Sequence, residues 1–122
     1  MSNADRIKAH KKGFMLERIA ALYLQVKGYK ILKMRYKTPV GEIDIVARRK
    51  NSLVFVEVKG RKKMSEAIGA VTLRNQRRVA RAALHFIAAH PQVAGLDIRF
   101  DVMAFSPPFS VQHLDNAWRA GS

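Results

Sequence analysis

Cysteine is absent from the 122 residues, so neither a disulfide nor a thiolate metal site can form. No apolar run is long enough to span a membrane, and the N-terminal segment carries Asp5 and Lys8 where a secretion signal needs an uninterrupted apolar stretch. Together these absences point to a reducing cytoplasm. The chain has 4 prolines and 7 glycines and no low-complexity or linker-like tract, and its 48% hydrophobic content suffices for one core, so residues 1–122 read as a single domain. Acid is scarce relative to base. Only 9 Asp and Glu stand against 23 Lys and Arg, a formal charge of +14, which calls for a polyanionic partner. Nucleic acid leads, DNA ahead of RNA; a ribosome-like scaffold or an anionic surface comes behind.

What acid there is falls unevenly. Of Asp5, Glu17, Glu42, Asp44, Glu57, Glu66, Asp97, Asp101 and Asp115, three lie in the two runs Gly41–Ala47 and Leu53–Lys59. Both runs alternate β-branched and polar residues, and Arg48 to Ser52 suits a reversal centred on Lys50-Asn51. This register sets Asp44 opposite Glu57 and Glu42 opposite Lys59, with Ile43, Ile45 and Ala47 meeting Val58, Val56 and Val54 on the other face. A slip of one residue would mix the faces.

Carboxylates opposed across a ladder repel unless something positive lies between them. Mg²⁺ suits the position, because it takes one or two carboxylates and fills its shell with water and phosphate oxygens; Mn²⁺ accepts the same ligands. Lys59 points the same way as Glu57, and two acids with a lysine make a site for metal-assisted hydrolysis of phosphate esters. A protein that only coats phosphate has no use for such acids, since each repels the ligand.

The remaining pattern surrounds this hairpin with helices. From about Asp5 to Lys27 an amphipathic helix carries Met15, Ile19, Leu22 and Val26 on one stripe, while Glu17 shares a face with Ala20, Ala21 and Leu24 and so leans inward. Tyr29 to Tyr36 reads as a strand in which Leu32, Met34 and Tyr36 alternate with Lys33, Arg35 and Lys37, and Arg35 and Lys37 are candidate phosphate contacts. Arg61, Lys62 and Lys63 form a basic loop, and Ser65 to Gly69 a short turn or helix. Thr72 caps a second long helix ending before Pro91, with Arg74, Arg77, Arg78 and Arg81 on one ridge able to contact phosphate. Gln76 lies near its apolar side, either orienting the site or simply satisfied by a neighbour. Asp97 to Phe105 and Ser110 to Leu114 read as further strands, followed by a segment that packs Trp118. His10, His85, His90 and His113 show no metal-ligand spacing and read as surface or packing residues.

The order helix, strand, strand, strand, helix, strand, with Asp44 and Glu57-Val58-Lys59 on the second and third strands, resembles the PD-(D/E)XK nucleases of restriction-endonuclease-like fold. More narrowly, Gly41-Glu42-Ile43-Asp44, Phe55-Val56-Glu57-Val58-Lys59 and Arg99-Phe100-Asp101-Val102 resemble the YraN family of predicted nucleases, related to archaeal Holliday-junction resolvases. The resemblance implies an α/β fold with a mixed central sheet flanked by helices. It also implies that Asp44, Glu57 and the Val58 carbonyl bind the metal, that Lys59 positions or activates water, and that Glu17 is the first-helix acid. Ile43 stands where the superfamily name has proline, and Asn75 where a lysine is expected early in the second long helix. The implied activity is Mg²⁺-dependent cleavage of DNA, branched or otherwise structured, by a protein that, like junction-cutting relatives, could act as a homodimer. The alternative is a catalytically silent nucleic-acid-binding module of the same fold.

Overall fold

The computed structural model describes residues 3–119, apart from the side chains of residues 5–12, so the His10 side chain lies outside the described residues. The elements are α1 (Asn3–Val26), β1 (Lys30–Thr38), β2 (Gly41–Arg49), β3 (Ser52–Gly60), α2 (Met64–Gly69), α3 (Leu73–Ala89), a 3₁₀ turn (Pro91–Val93), β4 (Asp97–Ser106) and β5 (Ser110–Trp118). One five-stranded sheet runs in the order β1-β2-β3-β4-β5. The pair β3–β4 is parallel and the other three pairs are antiparallel, because α2 and α3 form the crossover that returns the chain to the same end of the sheet. The mixed α/β architecture expected from the sequence is thus present, in the form of a nuclease-like α/β fold. No described helix is long and apolar enough to cross a membrane.

A helix covers each face of the sheet. Val79, Ala82, Ala83 and Phe86 of α3 pack on Ile43, Val46, Leu53 and Phe55, whereas Ala20 and Leu24 of α1 pack on Ile45, Ala47, Val54, Val56 and Met103. Buried from both sides, β3 can afford no polar residue from Leu53 to Val56, all four fully buried. Thr72 caps α3 as expected, its hydroxyl accepting the Asn75 N–H, and the helix ends at His90 before Pro91.

Three expectations from periodicity are corrected. The apolar stripe Met15, Ile19, Leu22 and Val26 of α1 faces solvent, and the sheet-facing side is that of Leu16, Ala20 and Leu24. Small alanines let the helix lie close to the sheet, and Glu17 travels with that inward side. In β1, Leu32 and Tyr36 pack toward α3 but Met34 toward α1. A register shift between Ile31 and Lys33, followed by the left-handed Arg35 (φ 52), breaks the alternation. In β2, Ile43 joins the α3-side core, away from Ile45 and Ala47. The strand changes face at Asp44. Beyond the sequence reading, β5 extends to Trp118, whose indole stacks on Phe100 at 4.1 Å.

The register of the central hairpin is the expected one, running from Arg49–Ser52 to Ile45–Val56 around a turn at Lys50 (φ 53) and Asn51. Past Ile45–Val56 the two strands follow different neighbours, so the expected ladder pairs Asp44–Glu57, Ile43–Val58 and Glu42–Lys59 do not form. β2 stays with β1 to the pair Thr38–Gly41, and β3 stays with β4 to Gly60–Phe105. The sheet therefore forks between β2 and β3, and Asp44 fills the crotch, its carboxylate accepting the Val58 N–H at 2.8 Å.

Candidate functional site

Into this fork open Glu42 and Asp44 from β2 and Glu57 and Lys59 from β3, with Asn75, Arg78 and Val79 of α3 closing a cavity of about 90 Å³. The Lys59 ammonium lies 3.9 Å from the Glu57 carboxylate. Glu17 reaches the same acids from α1, where Arg35 Nη1 stands 3.7 Å from its Oε2. That oxygen is buried without a hydrogen-bond donor among the described residues.

So much carboxylate in so little water shifts its protonation. Burial, then the charge of Asp44, pushes the Glu57 carboxyl up to about 8. The same two causes in the same order push Glu17 up to about 7. Burial also raises Asp44, against the opposing hydrogen bond from Val58. A carboxylate raised by burial and by its like-charged neighbours holds its proton more tightly, and a nearby cation would lower it again. The donor set is all oxygen, as a hard divalent ion requires. Among the described residues no group of three His, Cys, Asp or Glu side chains is arranged as a ready metal cluster. The fit is therefore to an ion that accepts two carboxylates, here Asp44 and Glu57, with a backbone carbonyl such as that of Val58 and otherwise water.

A pH dependence follows for the metal-free protein. Folded pKa values above the unfolded ones mean that the native state holds protons the unfolded state releases. The stability they contribute is complete below the ordinary carboxylate range near 4.5 and is lost as pH rises through about 7 to about 8. In EDTA, Tm is expected to fall by several degrees between about pH 5 and about pH 8.5. Glu57→Gln should flatten that decline in a scanning-calorimetry series, and a Tm that climbs over this interval would show that the acids are not in conflict.

Residues 16–105 match the family described as Uncharacterised protein family UPF0102. The chain belongs to UPF0102. A UPF0102 protein of Bradyrhizobium diazoefficiens is 45% identical over 122 residues, covering 100% of this chain and 92% of that protein. One from Nitrobacter winogradskyi is 45% identical over 117 residues, 96% of this chain and 99% of its own length. Another, from Rhodopseudomonas palustris strain BisB18, is 46% identical over 116 residues, with 95% and 86% covered. UPF0102 is the YraN family that the hairpin motif resembles. The matched segment contains every carboxylate of the fork.

The basic residues of this UPF0102 chain divide into two groups. Arg35 is turned to the acids, paired with Glu17 and stacked over the Phe14 ring at 3.7 Å, so it serves the site's internal charge balance rather than an outer surface. Lys37 is exposed on β1 opposite Glu42. Arg61, Lys62 and Lys63 are exposed in the loop leaving β3, which is tied to the end of β4 through the Arg61 N–H to Phe105 O and the Ser106 hydroxyl to Lys62 O. Arg74, Arg77, Arg78 and Arg81 are exposed on α3. Arg78 alone of these four lines the cavity.

Sequence reasoning missed three parts of the UPF0102 site. Glu42, read only as a partner of Lys59, is a third strand acid in the cavity, and Asn75 lines it while its side-chain amide donates to Ala70 O. Gly41 is the third. A Cβ there would lie 2.2 Å from the Arg78 carbonyl oxygen, so glycine is what lets α3 meet the start of β2. Helical and strand periodicities carry no signal for such a crossing. Gln76 reaches Val71 O at 3.5 Å and is a satisfied neighbour.

A second buried acid belongs to the fold. Asp101, fully buried on β4, accepts from Arg99 Nε and Nη2 at 2.9 and 2.7 Å and from the Asn116 N–H at 2.9 Å, and pairs with His113 Nε2 at 2.7 Å. Burial alone would raise its carboxyl; the bonds from His113, Arg99 and Asn116 outweigh burial and hold it below the usual range. His113 also meets the Lys27 ammonium at 2.6 Å, so the cluster ties the end of α1 to β4 and β5. His113 is accordingly a packing residue, as its spacing suggested.

Proposed function

We propose that this protein is a metal-dependent endonuclease that hydrolyses phosphodiester bonds in DNA, with Mg²⁺ the expected ion and Mn²⁺ an acceptable one. The observation that carries the reading is the fork: in a chain of charge +14, Glu42, Asp44 and Glu57 are gathered with Lys59 and Arg78 into one small cavity. Asp44 and Glu57 would hold the ion, with the Val58 carbonyl. When bound, it supplies a more acidic water and neutralises charge on the phosphoryl group. The chain's own part is positioning. Lys59, 3.9 Å from Glu57, holds the attacking water in line with phosphorus and steadies the charge that develops on the phosphate oxygens. Glu17 backs Asp44 and keeps it oriented toward the cavity, while Arg78 on the opposite wall faces the incoming phosphate. Exposed Arg61, Lys62, Lys63, Arg74, Arg77, Arg81 and Lys37 would supply cations for the flanking phosphates. A homodimer would present two such cavities for paired incisions in a branched substrate, and a cytoplasmic setting supplies both the metal and the DNA.

The test is cleavage of labelled duplex, single-stranded and four-way-junction DNA with Mg²⁺ or Mn²⁺, comparing wild type with Glu57→Ala on one gel. Wild type is expected to cut and the variant to lose about a hundredfold or more in rate while still binding. Binding without cutting in either metal would replace this reading with that of a silent nucleic-acid-binding module.

A further inference from the structure

Beside the carboxylate fork lies a larger and different opening, an apolar groove of about 370 Å³ between α1 and the β4–β5 turn, lined by Leu16, Ile19, Gly60, Phe105, Pro108 and Phe109, with Arg61 at its rim. Its volume is within the range of pockets that take small flat ligands. Phe109 is 93% exposed at the tip of the turn. We infer that this groove receives an unpaired nucleobase, with Phe109 as its stacking platform. This base-binding does not depend on the nuclease reading.

Three observations support the inference. First, the groove and the acid site share adjacent residues. Leu16 lines the groove and Glu17 reaches the acids, and Gly60 lines the groove and Lys59 the cavity. Groove and cavity are thus built on the same stretches of α1 and β3, with the groove on the α1 side of the sheet and the cavity walled by α3. Second, the groove's rim and floor are one piece. The Arg61 N–H donates to Phe105 O at 3.1 Å and the Ser106 hydroxyl donates to Lys62 O at 2.7 Å, which fastens the basic loop to the strand end that carries the Phe109 turn. Third, the chemistry is divided as a single strand needs it: exposed Arg61, Lys62 and Lys63 for phosphates, and an aromatic ring with aliphatic walls for a base face. A second copy of this chain is a poorer occupant, because both surfaces would carry the same basic rim on a protein of net charge +14.

Stacking without hydrogen bonds to base edges is sequence-tolerant, and the binding is expected to distinguish bases from no bases rather than one base from another. The experiment is fluorescence-anisotropy titration, in EDTA, of a labelled twenty-mer of thymidine and of an abasic-spacer twenty-mer with the same phosphates. Wild type should prefer the thymidine strand about tenfold, Phe109→Ala should erase that preference without changing abasic binding, and Phe109→Tyr should keep it. Equal affinity of wild type for the two strands, or a preference that survives Phe109→Ala, overturns the inference. So does a drop in sedimentation mass on Phe109→Ala, which would give the groove to a second copy. None of these readouts requires cleavage, so a protein that prefers bases but never cuts would defeat the nuclease reading and leave the groove's role standing.

Discussion

Asp101→Ala is expected to cost about 3–5 kcal/mol of unfolding free energy, a large share of the roughly 5–15 kcal/mol that a domain of this kind possesses. The carboxylate is fully buried and answers the Arg99 guanidinium, His113 and the Asn116 N–H together. Its removal leaves the buried His113 ring and the Asn116 N–H without their acceptor, while the half-buried Arg99 guanidinium keeps only its bond to the Tyr29 hydroxyl and its contact with water. Urea denaturation should show a lower midpoint with an unchanged slope. The ordinary protein should show a related acid limit: a carboxyl held below its unfolded pKa contributes stability that is present above the unfolded value near 3.8 and lost as pH falls through the folded one. A loss of unfolding free energy below about 1 kcal/mol would mean that the cluster is replaceable packing.

Gly41→Ala should damage stability and the site at once. The added methyl would stand 2.2 Å from the Arg78 carbonyl oxygen and 2.8 Å from its carbon. These are backbone atoms of a packed helix, so no rotamer change relieves the contact, and either β2 or α3 must move. Overpacking of this kind costs about 1–3 kcal/mol. On the nuclease reading proposed above, the larger effect falls on cleavage, because the displaced turn of α3 carries Asn75, Arg78 and Val79, which line the cavity with Asp44 and Glu57. A shift near 1 Å in such a constellation lowers turnover by about a hundredfold. Metal-dependent cleavage rates measured well below the variant's own Tm would separate this from unfolding. A variant that cuts DNA at the wild-type rate would show that α3 takes no part in the reaction.

The hairpin register near the turn was readable because Ile45, Ala47, Val54 and Val56 carry one apolar face; the expected opposition of Asp44 and Glu57 was not met, because the strands part just beyond Ile45–Val56. Thr72 and Pro91 bracketed α3 for local reasons, a hydroxyl for the cap and a ring that ends the helix. Where prediction failed, the cause was tertiary. Two sides of α1 are apolar, and only contact with the sheet selects Leu16, Ala20 and Leu24 over Met15, Ile19, Leu22 and Val26. The face change at Asp44 accompanies the parting of β2 from β3, and the broken alternation of β1 accompanies the positive φ of Arg35; neither has a residue-type signature. Arg78 was visible as one cation of a ridge, but its place at the cavity is fixed by Gly41, thirty-seven positions away in sequence.

The unselected side of α1 sets the colloidal behaviour of the molecule. Met15 and Leu22 are each 63% exposed and Val26 is 89% exposed, a sticky stripe on a body that carries +14 charges. In dilute buffer, mutual repulsion holds neighbouring molecules apart and the stripe is harmless. As added salt shortens the range of that repulsion to about 10 Å near 0.1 M, the stripes can meet. A salt titration of the proposed DNA binding would then change two equilibria together, counterion release from the phosphates and self-association of the free protein, and only runs at several protein concentrations separate them.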